Sequence, residues 1–374
     1  MRIYLDHNAT APLRPEVREA MLPFLGPPAN PSSAHREGAG ARSAVETARA
    51  QVAALVGAVP AEIVFTSGAT EANNLALRGT ATGRGIVTTA IEHASVLETA
   101  RAVGAPVTEV PVDGEGRVDA ERVVAACDAA TRLVSVGLAN GEVGSVAPVA
   151  AIAAGLRGRG ILLHSDAVQA AGRIPVDVGA LGVDLLSLSA HKLGGPAGIG
   201  ALWVRRGVEL AAQATGGPQE RGRRAGTENV AAIVGFGVAA ARAGAELAAS
   251  AAAQARLVER LWTGLRARVP GVVRNGPAAG PRLPNTVNVS FPGAAGESLL
   301  VLLDLAGVAV SLGSACAAGA AEPSHVLLAM GRDRAAARSG VRFSLGPSTT
   351  TADVDRVLQL LPPLVAQARG EAAA

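Results

Sequence analysis

The 374-residue chain has 34 basic side chains, and only one of them, Lys192, is a lysine. An arginine guanidinium stays protonated at any pH that a protein meets, whereas a desolvated lysine amine can lose its proton and attack a carbonyl group. A single lysine in a chain that otherwise uses arginine therefore suggests covalent amine chemistry. The simpler alternative is a surface lysine that is placed by chance.

Other polar residues follow apolar runs at positions that suit an anionic, aromatic ligand. In SGATEANN (67–74), backbone N–H groups at a helix start and the Thr70 hydroxyl can bind a phosphate. In HSDAVQAAG (164–172), Asp166 and Gln169 are three residues apart and can share one face, where the carboxylate can hold a protonated ring nitrogen. Each signal is weak by itself, because Thr and Asp at such places also serve as helix caps.

Two histidine-containing segments complete this set. SLSAHK (187–192) places Ser189, His191 and Lys192 where another apolar run ends, and IEHAS (91–95) adds His93, whose flat ring can stack on a cofactor. Pyridoxal 5'-phosphate (PLP) requires a phosphate site, a carboxylate for its ring nitrogen and a lysine amine for covalent attachment. The combination predicts a PLP site more strongly than any of its parts.

The elements that position these residues follow from the hydrophobic pattern. Between about residues 60 and 205, apolar runs alternate with segments of helical spacing. The predicted strands are 62–67, 85–90, 132–139, 160–166, 183–189 and 200–206. Their near-continuous Val, Ile and Leu content is typical of strands that are covered on both faces. The pattern predicts an α/β domain with a largely parallel sheet, in which ligands bind beyond the carboxyl ends of the strands.

A second, smaller domain is predicted after an alanine-rich helix that ends near residue 270. Strand patterns at 286–291, 307–311 and 340–345 indicate an α+β domain there. We expect the N-terminal segment, which contains Pro12 and Pro15, to pack against it. The predicted division assigns residues 14–246 to the large domain, and residues 1–13 and 247–374 to the small one.

Composition narrows the function class. The chain is 49% hydrophobic and 17% charged with a net charge of +3, which is typical of a globular protein without a nucleic-acid-binding surface. Cys127 and Cys316 provide no disulfide framework, and the histidines and cysteines lack metal-ligand spacing. The apolar stretch 230–241 is too short to span a bilayer, and Asp6 comes too early for a signal peptide. We therefore expect a cytoplasmic protein with no membrane and no metal site.

Motifs along the chain resemble those of the cysteine desulfurases, which are PLP enzymes of the class V aminotransferase superfamily. The resemblance runs in order from residue 4 to about residue 346. It rests on YLDHNATAP, EIVFTSGATEANNLAL, ANGEVG, HSDAVQAAGRIPVDV, VDLLSLSAHKLGGPAGIGALWVRR, RRAGTENV, GSACAAGAAEPSHVLLAMG and VRFSLG. It implies the type I fold, with a large domain built on a seven-stranded, mainly parallel sheet and a smaller α+β domain.

The resemblance also implies a set of residues that contact the cofactor. The matching positions are Ala69, Thr70, His93, Asp166, Gln169, Ser189, His191, Lys192 and Thr227. Lys192 would bond covalently to the cofactor, Asp166 would pair with the pyridine nitrogen, and Gln169 would contact the phenolic oxygen. His93 would stack on the ring and act as an acid–base group.

The phosphate and substrate contacts are implied in the same way. Thr70, Ser189 and His191 would bind the phosphate. Thr227 would reach the phosphate of the neighbouring subunit, which implies a homodimer with shared active sites.

Asn140 and Arg342 would hold the carboxylate of L-cysteine, and Cys316 would accept the sulfur. The implied reaction converts L-cysteine to L-alanine and leaves a persulfide on Cys316.

The destination of the sulfur is less specific in the sequence. The spacing from Cys316 to EPSHVLLAMG fits the long-loop group that serves iron–sulfur assembly, although the loop reads SLGSACAAG instead of the family's Ser-Ser-Gly-Ser-Ala-Cys pattern. The short C-terminal tail leaves the docking of an iron–sulfur scaffold open, so the acceptor is this scaffold or another sulfur relay. Cys127 lies on an apolar helical stripe and is expected to be inert core.

Three alternatives remain open on the sequence alone. A class V aminotransferase, or a selenocysteine or cysteine-sulfinate lyase, would use the same scaffold and cofactor. A catalytically silent regulator would keep the fold without turnover, and the presence of Lys192, Asp166 and Cys316 argues against it.

Overall fold

The computed structural model describes residues 2–28, 30–81, 83–312 and 323–370 of the chain. The strands are β1 Ile3–Tyr4, β2 Ile63–Thr66, β3 Gly85–Thr89, β4 Val107–Val110, β5 Thr131–Ser135, β6 Leu162–Asp166, β7 Leu185–Ser189, β8 Gly200–Val204, β9 Val273–Asn275, β10 Thr286–Ser290, β11 Val308–Ala309 and β12 Gly340–Ser344.

The helices alternate with these strands. They are α1 Pro15–Met21, α2 Arg36–Leu55, α3 Ala69–Thr80, α4 Ala94–Ala102, α5 Ala120–Ala125, α6 Val149–Leu156, α7 Val178–Leu181, α8 Val230–Arg268, α9 Gly296–Leu305, α10 His325–Ala329, α11 Arg334–Arg338 and α12 Thr351–Ala368. Short 3-10 helices cover Leu22–Phe24, Pro60–Glu62, Ala190–Lys192 and Gln219–Gly222.

Seven strands form the large sheet, in the order β2-β8-β7-β6-β5-β3-β4. Strands β7, β6, β5, β3 and β4 are parallel, and β8 is antiparallel to both β7 and β2. The carboxyl ends of β2, β3, β5, β6 and β7 therefore lie along one edge of the sheet. This confirms the seven-stranded, mainly parallel architecture. The pattern missed β4, an edge strand whose sequence VTEV buries only its last residue.

Helices cover both faces of the large sheet. In β7, Leu186 and Leu188 belong to a core cluster with Phe236 of α8, whereas Leu185 belongs to a second cluster with Leu75 of α3. Because successive side chains of a strand point to opposite faces, both faces must be apolar, which explains the near-continuous runs of Val, Ile and Leu.

Helix α8 is 39 residues long; it contains the apolar stretch 230–241 and ends at Arg268, close to the predicted end near residue 270. The segment LAASAAAQAR continues it because it contains no residue that breaks a helix. By length and composition this helix could cross a membrane, but 56% of its most apolar window is buried inside the protein. Ile233 and Phe236 belong to the main core cluster, as expected for a core helix.

A smaller antiparallel sheet, in the order β12-β10-β9, packs with α9, α12 and the end of α8. The predicted strand at 307–311 forms β11, which pairs with β1, and the last residue of the predicted range, Ser311, exchanges backbone hydrogen bonds with Arg342 of β12. In the N-terminal arm, residues 2–14, Leu5 is buried in the same cluster, and its carbonyl accepts a hydrogen bond from Ser344 N–H at 2.8 Å. The division at residues 13/14 and 246/247 stays a prediction.

The N-terminal arm also contacts the large sheet. Ala11 N–H donates to the carbonyl of His191 at 2.9 Å, and Arg14 N–H donates to the carbonyl of Gly194 at 3.0 Å. The arm therefore links the smaller sheet to the segment that follows β7.

A buried ion pair attaches the 3-10 helix Gln219–Gly222 to β2. Arg49 donates two hydrogen bonds to the Glu220 carboxylate, at 2.7 and 2.9 Å, and both side chains are almost fully buried. Glu220 also accepts from the backbone N–H of Phe65 at 2.9 Å, and its φ of 48° is unusual for a residue other than glycine. This ion pair fixes the position of the 3-10 helix that precedes RAGTENV (224–230).

Replacing Glu220 by alanine should leave the buried guanidinium of Arg49 without its main partner. We expect the free energy of unfolding to fall by about 3–5 kcal/mol, measured by urea denaturation. Glu46 contacts the same guanidinium from the exposed surface at 3.0 Å, so Glu46→Ala is a matched control with an expected loss of about 1 kcal/mol or less. Equal losses in the two variants would contradict this account.

Candidate active site

The candidate site residues lie beyond the carboxyl ends of neighbouring strands. Thr70 follows β2, His93 follows β3, Asn140 follows β5, Asp166 ends β6, and Lys192 lies three residues after β7. Since these strands run parallel, their carboxyl ends meet at one edge of the sheet, where ligands bind in folds of this kind. The structure therefore brings the residues that the sequence singled out to a common edge.

The Lys192 amine is buried against the N-terminal arm. Its Nζ donates to the carbonyl oxygens of Asn8 and Ala9, both at 2.6 Å. Burial, followed by the nearby Arg173 and Arg342 guanidinium groups, lowers the pKa of Lys192 to about 8. An amine with this pKa is partly neutral near physiological pH and can act as a nucleophile. The one lysine of the chain is thus in an environment that activates it.

Two donors orient the Asp166 carboxylate. Oδ2 accepts from Asn73 Nδ2 at 2.8 Å, and Oδ1 accepts from Val168 N–H at 3.0 Å. Asn73 is fully buried in α3, so the carboxylate is held from a rigid element. A carboxylate fixed in this way suits a protonated ring nitrogen.

The start of α3 is suited to a phosphate. Its N-cap is Gly68, which has no side chain to cap the helix, so the first N–H groups after it, from Ala69 onwards, are available to an anion. Gly68 lies directly against Gly200: a Cβ added at Gly200 would be 2.6 Å from the Gly68 carbonyl carbon. Gly200 pairs across the sheet with Ser189. Ser189 and the exposed Thr70 are therefore close to the same helix start.

His191 and Gln169 are both tied to the N-terminal arm. His191 Nδ1 lies 3.2 Å from Thr10 Oγ1, and burial lowers the pKa of His191 to about 4, so its ring is neutral at pH 7. Gln169 Nε2 donates to the carbonyl of Asn8 at 3.0 Å, and its Oε1 accepts from Arg173 at 3.0 Å.

The two candidate carboxylate-binding residues differ in their surroundings. The buried Arg342 donates to Asp6 Oδ1 at 2.6 Å and to the carbonyl of Gly141 at 3.2 Å. The Asn140 side chain donates to the carbonyl of Ile91 at 3.0 Å and accepts from backbone N–H groups of the turn that follows it. Arg342 thus presents a guanidinium near Lys192, whereas the Asn140 amide is engaged by the backbone.

Three further residues that the sequence singled out are Thr227, Cys316 and Cys127. Thr227 is exposed and lies three residues after Arg224, which pairs at 2.9 Å with Glu71 in the first turn of α3. Cys316 lies outside the described residues. Cys127 is buried, and burial raises the pKa of its thiol, as expected for an inert core cysteine.

Sequence reasoning missed the residues that hold this site in place. They are Asp6, Asn8, Asn73, Ser95 and Arg173. Asn73 carried a usable signal, because asparagine is a poor helix former and two consecutive asparagines, Asn73 and Asn74, here lie in the middle of a helix. The arm residues Asp6 and Asn8 gave no such signal, since their partners lie more than 130 positions away along the chain.

The donor set fits PLP. A buried amine of lowered pKa, a fixed carboxylate and an open helix start supply the covalent attachment, the ring-nitrogen partner and the phosphate site that this cofactor requires. On a mainly parallel seven-stranded sheet, this arrangement defines a PLP-dependent enzyme of the type I fold.

Comparisons with known proteins agree with this class. The sequence model of the aminotransferase class-V family matches residues 3–357. A cysteine desulfurase of Cereibacter sphaeroides is 47% identical over 378 aligned positions, which cover 98% of this chain and 97% of that protein. The cysteine desulfurase IscS of Dictyoglomus turgidum is 43% identical, with coverage of 98% and 95%. The solved structure of a NifS-like protein superposes with a TM-score of 0.91 at 39% identity, with coverage of 98% and 100%.

The chain belongs to the class V aminotransferase family, in the branch that contains the cysteine desulfurases. The resemblance in the motifs, the fold and the PLP cofactor are thereby confirmed.

Replacing Gly200 by alanine should weaken cofactor binding. The new Cβ would collide with the Gly68 backbone and displace the start of α3. We expect the Kd of the apoprotein for PLP to rise roughly tenfold, about 1.4 kcal/mol, in a spectroscopic titration. Gly40→Ala is the control, since a Cβ at that helical glycine meets nothing within 4 Å. An unchanged Kd in a folded Gly200→Ala protein would refute the proposed phosphate site.

Covalent attachment of PLP to the apoprotein should depend on pH through Lys192. The reactive form is the neutral amine, so the rate should rise as the pH increases through about 8 and then level off. Arg173→Met removes a neighbouring cation, so the pKa of Lys192 should rise and the profile should move to higher pH. Stopped-flow absorbance measures the rate, and Arg159→Met, at the opposite edge of the sheet, is the control. Superimposable profiles for Arg173→Met and the wild type would rule out this electrostatic role.

Proposed function

We propose that the protein is a cysteine desulfurase that releases L-alanine from L-cysteine and transfers the sulfur to Cys316 as a persulfide. The observation that carries the proposal is the buried Lys192 amine, with its pKa of about 8, close to the Arg342 guanidinium at the carboxyl edge of the sheet. The 47% identical relative that is named a cysteine desulfurase supports the choice of L-cysteine as substrate.

Recognition of the amino acid starts with its carboxylate. The Arg342 guanidinium offers a planar pair of donors that matches a carboxylate, and burial strengthens such a pair. In the structure, Asp6 accepts one of these donors at 2.6 Å. The carboxylate of L-cysteine would compete with Asp6 for the guanidinium, while Asn140 shapes the neighbouring turn.

The chemistry at the substrate's α-carbon relies on Asp166 and Lys192. When bound, PLP supplies an electron sink for the electron pair that remains when the α-carbon loses its proton. Asp166, held by Asn73 and by Val168 N–H, would keep the ring nitrogen protonated. The Lys192 amine can accept and return a proton at neutral pH because its pKa is about 8. His93 would cover the ring face as a second acid–base group.

Sulfur transfer would then proceed without an external oxidant. The Cys316 thiolate bonds to the substrate sulfur, and the bond between that sulfur and the β-carbon breaks. The electron pair of the broken bond stays on the carbon, which takes up a proton and becomes the methyl group of L-alanine. The β-carbon is reduced by two electrons, and the two sulfur atoms are together oxidised by two electrons to form the persulfide, so the electrons balance.

We infer a homodimer with shared sites. Thr227 is exposed and available to the phosphate of a neighbouring subunit. Exposed leucines at the end of the arm and after α1 are also consistent with a subunit interface: Leu13, Leu22 and Leu25 are 43%, 52% and 63% exposed. The persulfide of a cytoplasmic enzyme would pass to an iron–sulfur scaffold or to another sulfur relay protein.

The two cysteines provide a matched test of the reaction. Cys316→Ala should lower alanine formation from L-cysteine by roughly 100-fold or more, about 2.7 kcal/mol of activation free energy, and should leave the bound cofactor's colour intact. Cys127→Ala should retain near wild-type activity. Alanine and sulfide are measured in the presence of a thiol reductant.

The outcomes separate the alternatives. Alanine formation that survives Cys316→Ala favours a lyase that uses no enzyme thiol. Amino-group transfer to a 2-oxo acid favours an aminotransferase. Wild-type protein that binds PLP but turns over no amino acid would be a silent regulator.

A further inference from the structure

We propose that Ser95 and Asn73 form a hydrogen-bonded link between His93 and Asp166, and that this link fixes the tautomer of His93 and the orientation of the Asp166 carboxylate. In this role Ser95 and Asn73 are positioning residues. The inference rests on the proposed function, which assigns His93 to the ring face and Asp166 to the ring nitrogen of the cofactor.

The link consists of three consecutive contacts. His93 Nδ1 lies 2.7 Å from Ser95 Oγ, Asn73 Nδ2 donates to Ser95 Oγ at 2.9 Å, and the same Nδ2 donates to Asp166 Oδ2 at 2.8 Å. All three distances are within the normal range for hydrogen bonds. One buried amide group thus holds groups at the ends of two different strands, β3 and β6.

The direction of these hydrogen bonds determines the tautomer. The backbone N–H of Ser95 donates to His93 Nδ1 at 3.1 Å, so Nδ1 carries a lone pair and the ring proton is on Nε2. The Ser95 hydroxyl accepts from Asn73, which leaves its own proton free to point toward His93 Nδ1. The hydrogen bonds between Asn73 and His93 therefore all point the same way, from donor to acceptor: the Asn73 amide donates to the Ser95 hydroxyl, and this hydroxyl donates to His93 Nδ1. The ring of His93 is left with Nε2–H as its own donor.

The Asn73 side chain suits this role because its amide has two N–H groups to donate. Its two N–H groups serve Ser95 and Asp166, whereas its Oδ1 is buried and has no hydrogen-bond partner in the described part of the chain. A buried acceptor without a partner costs free energy, and the two hydrogen bonds that the Asn73 amide donates offset this cost. A flipped amide would direct its oxygen at the Asp166 carboxylate, which is unfavourable.

The local structure brings the three elements together. Ser95 is the second residue of α4, and His93 is the N-cap of the same helix. Helix α3 packs beside α4 through small residues, since Ala72, Ala76 and Val96 belong to one buried cluster. The small side chains allow Asn73 to approach both the start of α4 and the end of β6.

The direct test is the tautomer of His93 in the full-length protein, with and without PLP. Nitrogen-15 NMR of labelled histidine, assigned with His93→Gln, should show Nε2–H as the tautomer in the wild type. Ser95→Ala keeps the backbone N–H donor at 3.1 Å but loses the closer hydroxyl at 2.7 Å, so a larger share of the Nδ1–H tautomer should appear. Ser95→Thr, which keeps the hydroxyl, should restore the wild-type signal. An unchanged tautomer in Ser95→Ala would overturn the proposal.

Kinetics and cofactor binding provide the second test. Ser95→Ala should lower kcat for L-cysteine about tenfold and leave KM and the Kd for PLP within about twofold, whereas Ser95→Thr should be close to the wild type. Asn73→Leu should lower kcat and also raise the Kd for PLP about tenfold, because Asp166 loses a donor. Thr47→Ala, which removes a hydroxyl that bonds within α2, is the control.

The double variant distinguishes a link from two separate effects. In the Asn73→Leu background, Ser95→Ala should lower kcat only about twofold further, since the link is already broken. Multiplied effects of the two substitutions would overturn the proposal. If the wild type forms no alanine, the proposed function fails, but the tautomer and the Kd for PLP still decide whether the link exists.

Discussion

The Lys192 amine lies between two carbonyl oxygens of the N-terminal arm and two buried arginines, and the whole site depends on this placement. Burial and the neighbouring cations oppose its charge, while the carbonyl oxygens of Asn8 and Ala9 fix its position. An exposed lysine would stay protonated and mobile at neutral pH. The other elements of the site preserve this environment. The large sheet positions Lys192 at its carboxyl edge, the start of α3 provides the anion site, and the N-terminal arm covers the amine.

The sequence predicted those parts of the site that depend on local order along the chain. Thr70, Asp166 and Lys192 each follow a strand that its apolar run identifies, so their common edge follows from parallel topology alone. Six of the seven strands of the large sheet, including its edge strand β2, were predicted from their apolar runs in the same way. The edge strand β4 was missed because it lacks the continuous apolar pattern.

Contacts between distant segments could not be predicted from the pattern. No local signal shows that Asp6 pairs with Arg342, 336 positions later, or that the arm carbonyls receive the Lys192 amine. The pattern at 307–311 placed a strand in the smaller domain, but it could not show that this strand pairs with β1. The alanine-rich helix was predicted to end near residue 270, and α8 ends at Arg268, because its alanine-rich segment contains no helix-breaking residue and alanine is the best helix former.

The position of the N-terminal arm has a consequence for how the protein is made. Residues 3–8 are synthesised long before their partners in β11 and β12, since Val308 pairs with Ile3 and Ser344 is bonded to Leu5. The ribosome must therefore translate as far as residue 344 before the arm can pack over the amine. Until then, a nascent chain already contains the lysine but lacks its cover. Completion of the pocket around the amine thus depends on the last strand of the smaller sheet, and a chain that stopped before β12 would leave Lys192 without this cover.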